Sequence, residues 1–186
     1  MKNSLLIEGD LIELARRRDE SAFARLVEAY TPVLYRVVRR MTRDTLEAEA
    51  IVQDTFWRFW NVLPRYKADR PLLPYLVTIA SNLARDRYRR ERRIVDVDAE
   101  IVLERSSRND INLEERVDQK EVLKILAEAV DSLPFAYREV ISLRYDAEMS
   151  YEEIAAVLSL PLNTVRTHLR RAKQVLRKRI EEEDHG

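Results

Sequence analysis

The sequence of 186 residues contains no cysteine, only two glycines and only two histidines. Without cysteine there is no disulfide, no thiol nucleophile and no thiolate ligand for zinc. The glycines are Gly9 and Gly186, so no glycine-rich phosphate loop or Rossmann turn forms between them. His168 and His185 lack the spacing of a zinc-binding pair. We therefore expect no catalytic residues, no metal, no cofactor and no small-molecule substrate.

Long hydrophobic runs are also missing. No apolar stretch approaches the ~18–20 residues that span a bilayer, and the apolar run at the N-terminus is too short for a signal peptide. We expect a cytoplasmic protein with no direct membrane insertion. Apolar residues make up 46% of the chain and charged residues 35%, which is enough apolar material to bury a core.

The net charge is zero, but the charges are unevenly distributed along the chain. Residues 1–93 carry 19 basic against 13 acidic residues, residues 94–132 carry 5 against 11, and residues 133–186 carry 9 of each. Residues 85–93 hold six arginines, and residues 162–180 hold seven basic residues and no acidic one. This pattern is expected if two parts of the chain contact phosphates and the part between them does not.

Apolar residues recur at helical spacing, and no segment alternates long enough to predict a sheet, so the fold class is all-α. Asp19, Asp44 and Ser150 are predicted to cap helices, the last two with a glutamate three residues on. The helical spacing of apolar residues is lost after Arg93. We predict two small helical domains, residues 1–93 and 113–186, joined by an acidic linker at residues 94–112. The first predicted helix covers residues 10–18. The second begins at residue 19 and continues through residue 38, the third begins at residue 44 and continues through residue 60, and the fourth covers residues 71–93. The other four cover residues 113–132, 134–145, 150–158 and 162–180.

The last predicted helix has two contrasting faces. If Val165 is placed at 0° and each residue advances by about 100°, Leu169, Ala172 and Leu176 fall within about 40° of it and form an apolar stripe. The opposite face holds Asn163, Arg166, Thr167, Arg170, Arg171, Gln174, Arg177 and Lys178. A short turn separates this helix from the preceding one, as in a helix-turn-helix. The basic face is either a DNA-reading surface or simply a solvated face.

Two blocks of the sequence together resemble the sigma-70 family, specifically its extracytoplasmic-function group. The N-terminal block consists of EAEAIVQDTFWRFW at residues 47–60 and PYLVTIASNLARDRYRR at residues 74–90, and it is similar to region 2. The C-terminal block consists of LPFAYREVISLRY at 133–145, SYEEIAAVL at 150–158 and TVRTHLRRA at 164–172, and it is similar to region 4. The order of the two blocks and the short linker match the group.

The resemblance implies a sigma factor that binds core RNA polymerase and directs transcription from promoters with −10 and −35 elements. Region 4 would contact the −35 element of promoter DNA through Asn163, Arg166, Thr167, Arg170, Arg171 and Gln174. Region 2 would recognise and melt the −10 element with Tyr66, Lys67, Asp69, Arg70, Asn82, Arg85, Tyr88 and Arg89. An alternative for the helical residues of the second set is a solvated surface.

The resemblance also implies that the core polymerase docks on the helix containing Glu49, Gln53, Asp54 and Trp57. The alternative is that the nearby aromatic residues are all core. Four aromatics within five positions cannot all face one way, so we expect Phe56 and Trp60 inside and Trp57 partly exposed. An anti-sigma factor is a further expected partner. The acidic linker either follows a basic channel of the polymerase or acts as a tether.

The sequence departs from the family pattern at two positions where glycine is common. Glu148 precedes the second-last helix, and Asn163 stands near the start of the last one. Asn tolerates unusual backbone angles, whereas Glu148 predicts an ordinary backbone conformation in its turn.

Two other classes of protein remain as alternatives. A self-sufficient helix-turn-helix regulator would bind an operator as a dimer without polymerase. A nucleic-acid-processing hydrolase would need a carboxylate cluster, a nucleophile with its base, or a phosphate loop, and the sequence offers none of these.

Overall fold

The computed structural model describes residues 2–67, 70–97 and 126–184, which are helical apart from their turns. Four α-helices and one short 3₁₀ turn are described before residue 98, and four helical segments are described after residue 125. They are α1 (Lys2–Arg16), α2 (Glu20–Thr42), α3 (Thr45–Val62), a short 3₁₀ turn (Leu63–Arg65), α4 (Leu72–Val97), α5 (residues 126–131), α6 (Phe135–Tyr145), α7 (Tyr151–Leu158) and α8 (Leu162–Asp184). No strand occurs within these described ranges, as predicted.

The predicted helix caps are present. The Asp19 carboxylate accepts a hydrogen bond from the Ala22 N–H, and the Asp44 carboxylate accepts one from the Glu47 N–H. At the start of α7, Ser150 and Glu153 form a reciprocal capping box. Each cap satisfies an N–H group that has no acceptor within its own helix, which fixes where α2, α3 and α7 begin.

Several helix boundaries differ from the prediction. Helix α1 begins at Lys2 rather than at residue 10, α4 continues to Val97, and α8 continues to Asp184. The added segments contain no proline and one glycine, Gly9. A single glycine weakens a helix without ending it, so each helix extends through these residues. Of the helix predicted at residues 113–132, only residues 126–131 are described as helix, and residues 113–125 lie outside the described part.

Helices α1 to α4 form what we call the N-terminal unit. Its centre contains fully buried side chains, including Leu34 and Met41 of α2, Phe59 of α3 and Leu76 of α4. Glu8 connects three helices, because its carboxylate accepts hydrogen bonds from the Tyr30 hydroxyl of α2 and from the Leu72 N–H at the start of α4.

Helices α5 to α8 form the C-terminal unit, in which α8 packs against α6 and α7. The two units are packed together, with α6 against α2 and α7 against α4. Their buried apolar side chains form one continuous cluster. Six consecutive residues of α6, from Arg138 to Leu143, are all buried. Six residues complete more than one helical turn, so α6 is covered on every side.

Candidate nucleic-acid interface

Helix α8 has the predicted inward stripe. Val165, Leu169 and Ala172 are each at most 1% exposed, and Leu176 packs partly buried against the same core. This stripe orients the helix on the C-terminal unit, so that the side chains opposite the stripe face away from the core.

The outward face of α8 is basic and accessible. Asn163, Arg166, Arg170, Arg171 and Gln174 are exposed, and Thr167 is half-buried. The Asn163 backbone carbonyl accepts a hydrogen bond from the Thr167 hydroxyl at 2.8 Å. The Asn163 side-chain oxygen lies 3.5 Å from an Arg166 guanidinium nitrogen. The structure thus brings the six predicted −35 residues together on one surface.

The backbone of Glu148, in the turn before α7, differs from the expectation. The φ angle of Glu148 is 55°, a left-handed conformation, so the expected ordinary backbone at this residue is wrong. Glu148 reverses the chain after α6, and the Met149 N–H then donates to the Leu143 carbonyl at 3.1 Å. Ser159, in the turn between α7 and α8, also has a positive φ of 53°. Asn163 lies within the first turn of α8 with a negative φ.

The predicted −10 residues before α4 lie in two different environments. The Tyr66 ring is half-buried and packs against Phe59 and Tyr75, with centroid distances of 5.4 and 5.0 Å. Lys67 and Arg70 are exposed. Asp69, also predicted for this site, lies outside the described residues. Tyr66 therefore anchors the beginning of this loop on the core, and Lys67 and Arg70 of the same loop are accessible to solvent.

Of the four predicted −10 residues on α4, two are exposed and two contact the C-terminal unit. Asn82 and Arg89 are exposed. Arg85 instead donates a hydrogen bond at 2.6 Å to the Glu139 carboxylate of α6, and the Tyr88 ring stacks on Phe135 at a centroid distance of 4.4 Å. Two of the predicted −10 residues are thus engaged by the C-terminal unit.

The residues predicted to bind polymerase lie on the outer surface of α3. Glu49, Gln53 and Trp57 follow at intervals of four residues and are all exposed, and Trp57 is 67% exposed. Asp54 lies beside them, with a carboxylate oxygen 3.8 Å from an Arg87 guanidinium nitrogen. Sequence analysis missed Leu46, which is 76% exposed and lies one turn before this row. Large exposed apolar side chains on one helix, here Leu46 and Trp57, are typical of a protein-binding surface.

The burial of the aromatic residues of α3 differs in part from the expectation. Phe56 is buried as expected, but the fully buried ring is Phe59, and Trp60 is only half-buried. The Trp60 ring lies at the edge of the unit, stacked edge-on against Phe23 and 4.7 Å below the Arg18 guanidinium. The expectation of Trp60 inside is therefore only partly correct, because Phe59 points more directly at α2 and α4.

An open groove of about 650 Å³ lies between α2 and α3. Phe23, Val27, Phe56, Trp57 and Trp60 line it, with Glu20 and Glu28 beside them. Trp57 belongs both to this groove and to the exposed row of α3. An apolar groove bordered by carboxylates is suited to a helix with apolar and basic side chains.

Sequence analysis also missed a set of charged residues between the two units. Arg40 and Asp146 form an ion pair across the units, and Arg138 and Glu139 are only 3% and 4% exposed. Arg138 and Glu139 are adjacent charged residues, a pattern that by itself predicts a solvated helix face. Their burial depends on contacts with α2 and α4, which helical periodicity does not predict.

None of the described helices is long and apolar enough to cross a membrane. Within residues 2–67, 70–97 and 126–184, no group of three or more histidine, aspartate or glutamate side chains is placed to hold a metal ion.

Comparison with known families defines the class of protein. The family model for sigma-70 region 2 matches residues 26–94, and the model for sigma-70 region 4 matches residues 123–176. The first match covers most of the N-terminal unit, and the second covers most of the C-terminal unit. The two units thus correspond to the two regions in their expected order.

Individual relatives narrow the class. The chain is 30% identical to the ECF RNA polymerase sigma factor SigW of Bacillus subtilis over 176 residues, which are 91% of this chain and 94% of that protein. The structure of CnrH in complex with the cytosolic domain of CnrY is 26% identical, with a TM-score of 0.68 over 95% of this chain and 98% of that one. The sigma factor RpoE, in complex with the anti-sigma factor NepR from Bartonella quintana, shares the fold with a TM-score of 0.71 at 22% identity, over 86% of this chain and 96% of that one.

The chain belongs to the extracytoplasmic-function (ECF) sigma factors of the sigma-70 family. Members of this family are RNA polymerase sigma factors and have no enzymatic activity of their own.

Proposed function

We propose that this sigma factor binds core RNA polymerase and directs initiation at promoters whose −10 and −35 elements it contacts with separate units. The observation that carries the proposal is the exposed basic face of α8, which is held outward by a fully buried stripe. We further propose residues 1–93 as the region 2 domain, residues 94–112 as an acidic linker and residues 113–186 as the region 4 domain. We propose the cytoplasm as its location.

For the −35 element, we assign base and phosphate contacts to Asn163, Arg166, Thr167, Arg170, Arg171 and Gln174. A recognition helix reads bases mainly through its early turns, and arginine pairs with guanine through two hydrogen bonds in the major groove. Arg166, Arg170 and Arg171 occupy these turns. Their guanidinium groups also attract the phosphate backbone, which supplies affinity independent of sequence.

For the −10 element, we assign Tyr66, Lys67, Asp69 and Arg70 in the loop before α4, and Asn82, Arg85, Tyr88 and Arg89 on α4. Strand separation requires a surface that holds unpaired bases and their phosphates. Lys67 and Arg70 are exposed cations of this loop, and the Tyr66 ring packs against Tyr75, which supports both kinds of contact here.

For core polymerase, we assign the outward row of α3, comprising Glu49, Gln53 and Trp57, together with Asp54. Large exposed aromatics often supply most of the binding energy of an interface, and flanking acids pair with arginines of a partner. We also propose an anti-sigma factor as a partner, supported by the similar fold of a sigma factor that was crystallised with one.

Transcription with purified components tests the proposal. We expect the protein, when added to core polymerase, to start run-off transcripts at a defined subset of promoters in a genomic promoter library. In gel-shift assays on those promoters, the free protein should bind weakly, and the protein with core polymerase should bind tightly. Tight, specific binding as a dimer without polymerase would instead identify a self-sufficient helix-turn-helix regulator. Failure to associate with core polymerase would refute the proposed function.

A further inference from the structure

A basic pocket lies between the C-terminal half of α2, the start of α3 and α5. Its volume is about 370 Å³, and small-molecule sites in proteins usually have volumes of about 300–1,000 Å³. The lining includes Tyr35, Arg36, Arg39, Arg40, Ala127 and Asp131. The pocket therefore contains three positive charges and one negative charge in a space large enough for a small molecule.

Only one of the three arginines has an acidic partner in the described part of the chain. Arg40 donates through Nε and Nη2 to the two carboxylate oxygens of Asp146, at 2.5 and 3.0 Å. Arg36 is exposed and Arg39 is half-buried, and neither forms an ion pair with a described carboxylate. Among the described residues, two guanidinium groups of the pocket thus have no charged partner.

The end of α2 accounts for only part of this positive charge. A helix C-terminus carries partial negative charge, which favours cations in its last turn. Arg39 lies in the last turn of α2, and Arg138 of α6 donates to the Met41 carbonyl there at 2.9 Å. Arg36 precedes that turn, and it lies four residues from Arg40, a spacing at which like charges repel one another. A bound anion would relieve this repulsion.

The arginines suit a phosphate group in particular. A guanidinium group presents its N–H donors in a planar fork that matches two oxygens of one phosphate. Arg36 and Arg39 lie three residues apart, so both extend from the same face of α2. Two neighbouring forks can hold a ligand that carries more than one phosphate.

Two other side chains of the pocket favour a ligand that is larger than phosphate alone. The pKa of Arg40 is raised, mainly by its hydrogen bond to Asp146 and to a smaller extent by the charge of Asp131, so the Asp131 carboxylate lies near the arginines. That carboxylate repels a bare anion but accepts a hydrogen bond from a hydroxyl or amino group. The half-buried Tyr35 ring offers a surface on which a flat ring can pack. A nucleotide combines phosphates, a flat ring and such donor groups.

We propose that this pocket binds a small molecule of the nucleotide class, with its phosphates on Arg36 and Arg39. Its base packs against the Tyr35 ring, and one of its hydroxyl or amino groups donates a hydrogen bond to Asp131. The site is independent of the proposed function, because none of these four residues is assigned to promoter DNA or to polymerase.

Isothermal titration calorimetry of the full chain with ADP and with GDP, in magnesium-free buffer, tests the site. Arg36→Ala and Arg39→Ala should each weaken binding at least about fivefold, because each removes charge-assisted hydrogen bonds to phosphate. Arg25→Ala removes the same charge at an exposed position earlier on α2 and should leave the affinity unchanged. Adenosine, which has no phosphate, should not bind. Equal affinities of the three variants for both nucleotides overturn the proposal.

Inorganic pyrophosphate tests the position of Asp131. Asp131→Asn keeps the shape of the side chain and removes its negative charge, so pyrophosphate should bind at least about threefold more tightly. Glu128→Gln removes the same charge at an exposed position of α5 and is the matched control. If Asp131→Asn and Glu128→Gln bind pyrophosphate equally well, the anion does not lie beside Asp131 and the proposed arrangement is wrong.

Two further results would also overturn the proposal. Binding of ADP, GDP and pyrophosphate only at millimolar concentration, with no difference between variants, is the behaviour of an adventitious ion only. If Arg36→Ala and Arg39→Ala weaken binding of a short mixed-sequence DNA duplex but not of either nucleotide, these arginines contact nucleic-acid phosphates instead. Circular dichroism confirms that each variant is folded. Failure to support transcription would refute the sigma-factor role and leave the nucleotide affinities unaffected.

Discussion

At the scale of single residues, the arginines of α8 combine two properties that a DNA-reading side chain needs. Arg170 and Arg171 are exposed, and the helix that carries them is held by side chains that are almost completely buried. A rigid helix limits the loss of conformational entropy on binding to the side chain itself, so most of the interaction energy is retained.

Replacing these arginines should weaken promoter binding. We expect Arg170→Ala or Arg171→Ala to lower the affinity of the polymerase holoenzyme for its promoter by about 1–3 kcal/mol if the side chain reads a base. Quantitative gel shifts on cognate and −35-substituted promoters measure the loss and show whether specificity is relaxed. Arg179→Ala, exposed near the end of α8, is a control for loss of charge. Unchanged transcription in both variants would exclude the proposed role.

Glu139 is a buried carboxyl group whose ion pair with Arg85 is opposed by the cost of burial. Burial raises the pKa of Glu139 above its ordinary value of 4.5, although the neighbouring Arg85 opposes this shift. The folded state therefore favours the neutral carboxyl group more than the unfolded state does. The stability that protonation contributes is complete below pH 4.5 and is lost as the pH rises through the raised pKa.

The amide variant Glu139→Gln should remove this pH dependence. Since glutamine stays neutral, we expect its free energy of unfolding to increase relative to the unchanged protein as the pH rises from about 4.5 to 7. Urea unfolding at several pH values measures the difference, and Glu152→Gln is a control at an exposed site. A difference that shrinks as the pH rises would show that Arg85 outweighs burial.

At the scale of helices, α3 separates its functions by face. One face contributes Ile51, Phe56 and Phe59 to the core, and the other presents the row that ends at Trp57. Substitutions on the outer row should therefore change binding without changing stability.

Trp57→Ala tests this separation. We expect it to weaken core polymerase binding by at least about 1 kcal/mol, roughly fivefold, because a large exposed aromatic loses its contact area. Arg58→Ala, an exposed neighbour on the same helix, should have a smaller effect. Affinity is measured by fluorescence anisotropy with labelled protein, and melting temperatures should agree within about 2 °C. A large fall in melting temperature for Trp57→Ala would assign this residue to the core.

Helices were predictable from the sequence where one face alone is buried. The stripe of Val165, Leu169 and Ala172 is as predicted, and so are the three caps at Asp19, Asp44 and Ser150. Helix α6 was not predictable in the same way, because contacts from another part of the chain bury its charged side. The left-handed Glu148 was missed because the local chain reversal overrides the preference of its residue type.

At the scale of the whole molecule, one continuous apolar cluster joins two units that bind DNA at separate elements in the proposed function. A shared core couples the stability of its parts, since opening the interface exposes apolar surface on both. The units should therefore unfold together in the free protein.

Calorimetry tests this coupling. We expect a single unfolding transition in the unchanged protein, with calorimetric and van't Hoff enthalpies in agreement. Asp146→Arg should separate it into two transitions, and the double variant Arg40→Asp/Asp146→Arg should restore one. Two transitions in the unchanged protein would show that the units are thermodynamically independent.

Because α6 is buried on every side, the C-terminal unit cannot be exchanged freely between sigma factors. A chimera that grafts the DNA-reading end of another sigma factor onto residues 1–97 must still place a cation at the Met41 carbonyl and an acid opposite Arg40. A graft without them leaves the Met41 carbonyl without its guanidinium donor and Arg40 without its carboxylate partner. Engineers who wish to redirect promoter choice should therefore transplant only the outward residues of α8 and keep α6 intact.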